Sequence, residues 1–235
     1  MFFTSTRFFL YQNQKNFRLM YHKSITNMFK PFFIFCIIIF VSYGCGDQKI
    51  TKNYPNGNIM EEYTVNKEQK KNGEYKLYFE NGKVKETATY QNDQLIGVRT
   101  MYYENGNIET EENYTEPNVL NGEYKTYYDN GQLKLVKIYK NNAIQGTLKV
   151  FYPTGKIKEE VTMVDNNENG PFVEYFENGQ VQWKGTYLNG DNEFGLLEEW
   201  DSLGNPIKKM KCDSLAICRT FWRPGMPVVD YNTVK

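Results

Sequence analysis

The chain predicts an all-β fold, an elongated antiparallel sheet of about seven tandem β-hairpin repeats, on three observations. Glycines recur at Gly57, Gly82, Gly106, Gly131, Gly155, Gly179 and Gly204, in steps of 24 or 25 residues. From Gly82 on, a second glycine stands nine residues earlier each time: Gly73, Gly97, Gly122, Gly146, Gly170 and Gly195. The stretches between are rich in Tyr, Phe, Val, Ile and Thr, and no helical period follows residue 50. One inner spacing held six times marks copies of a single unit, each able to bury a core only against its neighbours.

In chain order, the first element stands outside the repeat. Residues 1–46 carry Arg7, Lys15, Arg18, Lys23 and Lys30 and no acidic residue. They lead into the apolar run from Phe32 to Val41 and then Ser42-Tyr43-Gly44-Cys45. A basic stretch, some ten apolar residues and small residues before a cysteine predict a secretory signal over 1–44; a bilayer-spanning helix needs about 20 apolar residues. Ser42-Tyr43-Gly44-Cys45 resembles the lipobox of bacterial lipoproteins. That resemblance implies cleavage before Cys45, lipid on that cysteine, and anchoring to a membrane of the cell envelope. Met28-Phe29-Lys30 would open a signal of ordinary length, so residues 1–27 read as an over-extended start. Residues 45–50 form a short linker.

The repeat domain is expected over 51–210. One unit reads Gly73-Glu-Tyr-Lys-Leu-Tyr-Phe-Glu-Asn-Gly82-Lys-Val-Lys. Five of the seven turns are Asn-Gly, which predicts hairpins closed by type I′ turns with positive φ at both central residues. The second position after the turn glycine is Ile59, Val84, Ile108, Leu133, Ile157 or Val181, and the eighth is often tyrosine: Tyr90, Tyr114, Tyr139 and Tyr187. Equal parity puts these on one face of the outgoing strand. On the incoming strand, Tyr75, Arg99, Tyr124, Leu148, Phe172 and Leu197 differ in parity from Tyr78, Tyr102, Tyr127, Phe151, Tyr175 and Trp200. That strand therefore offers large side chains to both faces. Length variation falls in polar loops opposite the Asn-Gly turns, such as Gln91-Asn-Asp-Gln-Leu95. The first turn, Tyr54-Pro-Asn-Gly57, lacks an opening-glycine strand, and the last, Asp201-Ser-Leu-Gly204, lacks the asparagine; both are expected to be caps.

The pattern Gly-x-Tyr-x-x-Tyr-Tyr-x-Asn-Gly-x-Leu-Lys resembles the bacterial variant of the MORN repeat, over about residues 51–210. Tandem copies occur in proteins labelled as the YwqK family of antitoxins. The resemblance implies β-hairpin units that act as binding and scaffolding modules, at membranes or with protein partners. It also implies an alternative role, an antitoxin or immunity protein that neutralises a toxin by binding it.

The candidate binding residues are the ring row Tyr78, Tyr102, Tyr127, Phe151, Tyr175 and Trp200. A single-layer sheet leaves one face uncovered, and rigid rings on it suit a protein or glycan partner. The bland reading is that most rings pack neighbouring hairpins together. Glu61-Glu62, Glu111-Glu112 and Glu159-Glu160 have the look of catalytic carboxylate pairs, yet they recur with the repeat, as a solvated strand face does.

The tail, 211–235, is non-repetitive and is expected to cap the last sheet edge, a partner-binding segment being the alternative. Cys212 and Cys218 are expected to form a disulfide outside the cytoplasm, two free thiols being the alternative. Removing 1–44 takes away five of the 28 basic residues and none of the 28 acidic ones, leaving about −5. A mildly acidic chain without a basic cluster argues against nucleic acid. The same cut removes His22, the one histidine, and with it His bases, His triads and His-ligated metals. No cofactor, metal or catalytic residue is expected. The expected role is a lipid-anchored envelope protein, not an enzyme, whose sheet binds a protein or glycan partner.

Overall fold

The computed structural model describes residues 46–234. The expected signal segment, 1–44, and Cys45 lie outside the described residues. The described chain forms one antiparallel sheet of sixteen strands. It opens with the hairpins β1 (Gln48–Asn53) with β2 (Ile59–Val65), β3 (Lys71–Tyr78) with β4 (Val84–Gln91), and β5 (Gln94–Tyr102) with β6 (Ile108–Glu116). A two-residue β7 (Val119–Leu120) leads into β8 (Gly122–Tyr127) with β9 (Leu133–Lys140), then β10 (Ala143–Phe151) with β11 (Ile157–Val164). The last hairpins are β12 (Asn167–Tyr175) with β13 (Val181–Tyr187) and β14 (Glu193–Trp200) with β15 (Pro206–Cys212), followed by β16 (Cys218–Trp222). Neighbours in sequence are neighbours in the sheet, with β7 attached beside β6.

The Asn-Gly turns have a different geometry from the expected type I′. At Phe79–Lys83, the Gly82 N–H donates to Phe79 O (2.9 Å) and the Phe79 N–H to Lys83 O (2.8 Å). Gly82 alone takes positive φ, 84°, and Asn81 does not. This is a three-residue loop, a type I turn followed by a left-handed glycine that bulges the strand. The same pair of bonds closes the turns at Tyr54, Tyr103, Tyr128, Tyr152, Phe176 and Asp201.

Type I′ turns occur at the opposite edge instead. Asn92 and Asp93 (φ 51° and 66°), Asn141 and Asn142 (52° and 66°), and Asp165 and Asn166 (49° and 69°) each form a two-residue loop. The expected polar loops are thus tight turns, and β5 begins three residues before Gly97. Gly97 (φ 75°) sits inside the strand, where Thr87↔Thr100 and Thr89↔Ile96 leave one residue of β4, Ala88, against three of β5. The second glycine of most units therefore marks a bulge inside the strand, while Gly122 does begin its strand, β8.

Both terminal turns join complete hairpins. Gln48 pairs with Val65 where the other units have their inner glycine, as in Gly73↔Tyr90. Asp201-Ser-Leu-Gly204 joins β14 to β15 in the ordinary register, Trp200↔Pro206. At the C-terminal side β16 adds one strand to β15, and a 3-10 turn at Tyr231–Thr233 follows. Tyr231 packs near Phe221, ring centroids 6.1 Å apart, with the Lys211 ammonium 4.9 Å from its ring.

The core lies on one face, in the row that includes the second residue after the inner glycine. Phe172 and Leu197 are 1% and 0% exposed and cluster with Val161, Met163 and Cys212. Phe172 stacks on Tyr187 at 4.2 Å. Gly185 makes room for this: a Cβ there would lie 2.9 Å from Leu197 Cγ and Phe172 Cε1. Burying a side chain of the size of Phe172 or Leu197 contributes about 1.5–3 kcal/mol.

Candidate binding face

Adjacent residues on a strand point to opposite faces, and the glutamate pairs show which way each ring goes. The Tyr75 hydroxyl donates to Glu61 (3.3 Å), while the Tyr78 hydroxyl donates to Glu62 (2.8 Å). Tyr78 therefore lies on the face opposite the core. Its equivalents repeat the contact: Tyr127 donates to Glu111 (2.6 Å) and Tyr175 to Glu160 (3.3 Å). Burial first, then the carboxylate that accepts its proton, pushes the Tyr127 hydroxyl up to about 12. Trp200 carries the Lys184 ammonium 4.9 Å from its ring. All six candidate rings, with Tyr102 and Phe151, are half-buried. On the same face Val98, Ile138 and Leu196 are exposed, Val98 at 57%.

Lys49–Glu62, Lys149–Glu160 and Lys184–Glu198–Lys209 pairs run along this face. Burial acts to raise the Glu198 carboxyl, but its two lysine partners hold it below the usual carboxylate range. Exposed pairs of this kind contribute about 0–1 kcal/mol each.

The same parity dissolves the catalytic reading of the glutamates. Glu61 and Glu62 serve different faces, and so do Glu111, bonded to Tyr127, and Glu112, bonded to Arg99. Glu159 pairs with Glu174 across the strands while Glu160 meets Lys149. No such pair can close on one substrate atom from both sides. On the core face Arg99 is clamped by Glu86 (2.8 Å) and Glu112 (3.0 Å), and Tyr114 donates to Glu112 (2.9 Å). The Lys71 ammonium sits over the rings of Tyr63, Tyr75 and Tyr90 at 4.8, 4.2 and 5.2 Å. These side chains are spent on holding the units together.

Two further ladders escaped the sequence reading. Where a tip turn opens on tyrosine, its hydroxyl reaches the next unit: Tyr54 donates to Tyr78 O (2.6 Å), Tyr103 to Tyr127 O (2.8 Å), Tyr128 to Phe151 O (2.7 Å) and Tyr152 to Tyr175 O (2.7 Å). The signal was present, as an aromatic directly after five of the six candidate rings, Trp200 excepted, at a 24- or 25-residue spacing. At the far edge the second turn residue clamps the unit before it. Asp93 N–H donates to Lys71 O (2.9 Å) while its carboxylate accepts from Lys71 N–H (2.7 Å). Asn118, Asn142 and Asn166 do the same to Leu95, Leu120 and Ile144.

The MORN repeat variant family matches residues 71–92, 95–116, 120–141, 144–165 and 168–189. Residues 71–189 are an array of MORN repeats. Each match covers one hairpin, from the far edge through the tip turn and back. The hairpins β1–β2 and β14–β15 lie outside the matches and continue the MORN architecture in the same sheet. No curated protein matches the chain. Cys212 and Cys218 are joined by a disulfide across β15 and β16. Among the described residues no helix is long and apolar enough to cross a membrane.

Proposed function

We propose that the chain is a lipid-anchored envelope protein whose MORN array binds a protein or glycan partner without catalysis. One observation carries this: six rings, one per unit, stand on the face without the core, with exposed apolar neighbours. Rings already fixed by a hydroxyl–carboxylate bond lose little freedom on contact, which is what an interface anchor needs. Lipid on Cys45 would tether the array to a membrane surface.

A photo-crosslinking residue at Tyr127 tests the surface in living cells, against the same probe at Glu104, an exposed tip-turn position. The expected result is one dominant adduct from position 127, lost when Tyr102 and Tyr175 are changed to alanine. Equal capture at both positions would overturn the assignment of the face. A toxin in the adduct would replace the scaffold reading with the antitoxin one. For the anchor, palmitate labelling should disappear in Cys45→Ala and the chain should leave the membrane fraction. Unchanged fractionation without label would sink the lipid anchor and leave the binding face standing.

A further inference from the structure

Three donors meet at the last three strands. Gly195 of β14 pairs with Cys212 of β15, and Cys212 pairs with Cys218 of β16. Glu193, two residues before Gly195, approaches from the start of β14: its Oε2 is 3.6 Å from Cys218 Sγ. One donor atom from each of Glu193, Cys212 and Cys218 lies within 4.8 Å of the other two. Cys212 is buried, and Glu193 and Cys218 are half-buried. A disulfide sulfur has no proton to offer the carboxylate, so the contact with Glu193 becomes attractive only when a proton or a cation lies between them.

We propose that Glu193, Cys212 and Cys218 form a redox-gated site for a zinc-class divalent cation. In the oxidised chain the disulfide occupies both sulfurs. A dithiol reductant opens it: the Cys212–Cys218 S–S bond breaks, two electrons and two protons pass to the pair, and the reductant closes its own disulfide. The cation then displaces the two thiol protons and binds two thiolates and one carboxylate oxygen. Thiolates with a carboxylate suit a borderline-soft ion, and two sulfurs with one oxygen leave the fourth tetrahedral position to water. The expectation of no metal counted two cysteines and no histidine; the missing ligand is a glutamate some 20 residues upstream, which the bulged register of β14 carries to the pair.

The site has a structural reason. β16 is held to the sheet by a short ladder to β15 alone. Under oxidising conditions the disulfide fastens it; under reducing conditions the cation takes over the same two sulfurs. The terminal strand is thus secured in either redox state.

Cobalt(II) is a visible stand-in for zinc. The full chain is reduced anaerobically with a phosphine, which takes its oxygen from water, then desalted and titrated with Co2+. The reduced chain should bind one equivalent with a thiolate-to-cobalt charge-transfer band, and Zn2+ should bleach it. The oxidised chain should show no band. The Cys212→Ser/Cys218→Ser double variant retains Cys36 and Cys45 and should lose the band. Glu193→Gln, which leaves both cysteines and the fold in place, should weaken Co2+ binding at least about ten-fold. No band in the reduced parent, or a Glu193→Gln variant that binds as tightly as the parent, would overturn the three-ligand site.

Discussion

Asn130 binds twice at its turn, and neither bond needs positive φ. Its Oδ1 accepts from Gln132 N–H (2.9 Å) and its Nδ2 donates to Pro153 O in the next unit (3.0 Å). Asn105 and Asn178 make the same two contacts. The asparagine is thus chosen for its amide and not for left-handed backbone, which is why the dipeptide pointed to the right hairpin and the wrong turn type. Asn130→Ala should cost about 1–2 kcal/mol in a urea melt, and Asn130→Asp, which keeps the acceptor and loses the donor, about half of that. Tyr128→Phe removes the bond to Phe151 O and should cost about 1 kcal/mol with an unchanged m-value. Glu159 is a residue-scale case with opposite sign. Burial first, and then Glu174 and Glu168, hold its carboxyl above the usual range. Between the ordinary and the raised value the folded chain binds more protons than the unfolded one, so this group's contribution to stability falls as pH rises through that window. Glu159→Gln should remove that part of the slope; an identical slope from about pH 4 to pH 7 in both proteins would contradict it.

At the scale of the element, the hairpin was legible and its bends were not. Turn-glycine spacing, strand composition and the two-faced parity of Tyr75 and Tyr78 all follow from period-2 geometry, which sequence shows directly. The bulge at each inner glycine is a matter of register, and register depends on which residues two strands agree to pair. Gly97 and Gly185 separate two uses of glycine. Gly97 has open space where its Cβ would lie but takes φ 75°, so Gly97→Ala should cost about 1–2 kcal/mol in backbone strain alone. Gly185 has no unusual φ, yet a Cβ there would press on Phe172 and Leu197 at 2.9 Å. Gly185→Ala should cost about 1–3 kcal/mol through overpacking, and Phe172→Ala in the same background should relieve part of it. Additive losses in that double variant would show that the two sites do not share a cavity.

Across the whole molecule the core face changes character along the sheet. Units near β3–β6 join through Arg99, Glu86, Glu112 and the rings around Lys71, whereas β10–β15 join through Val161, Met163, Phe172 and Leu197. Apolar burial resists opening more than largely covered ion pairs, whose desolvation offsets their attraction, so amide protection should be highest in β11, β12 and β14 and lower in β2–β5. Uniform protection along the array in hydrogen exchange would mean that the polar joints hold as well as the apolar ones. The candidate face was half legible. Tyr78, Tyr102, Tyr127, Phe151, Tyr175 and Trp200 were visible as a row, but which side they took needed the hydroxyl of Tyr78 on Glu62 and not Glu61.

The two edge ladders have a direction. Each tip turn gives its protons forward, from Tyr128 to Phe151 O, and each far turn reaches back, from Asp93 to Lys71. Most internal units thus carry the same plug and socket; where Phe79 and Phe176 offer no hydroxyl, Lys83 and Asn178 donate forward instead, to Glu104 O and Ser202 O. Gain or loss of a whole unit in the gene, joined tip glycine to tip glycine, leaves each surviving joint with its counterpart. One extra residue between a tip glycine and the following far turn is also absorbed: the path from Gly106 to Asn118 is one residue longer than that from Gly82 to Asp93, yet Asn118 still clamps Leu95 and Tyr103 still reaches Tyr127 O. The array is therefore free to drift in length by whole units, and by single residues on the path to its far edge.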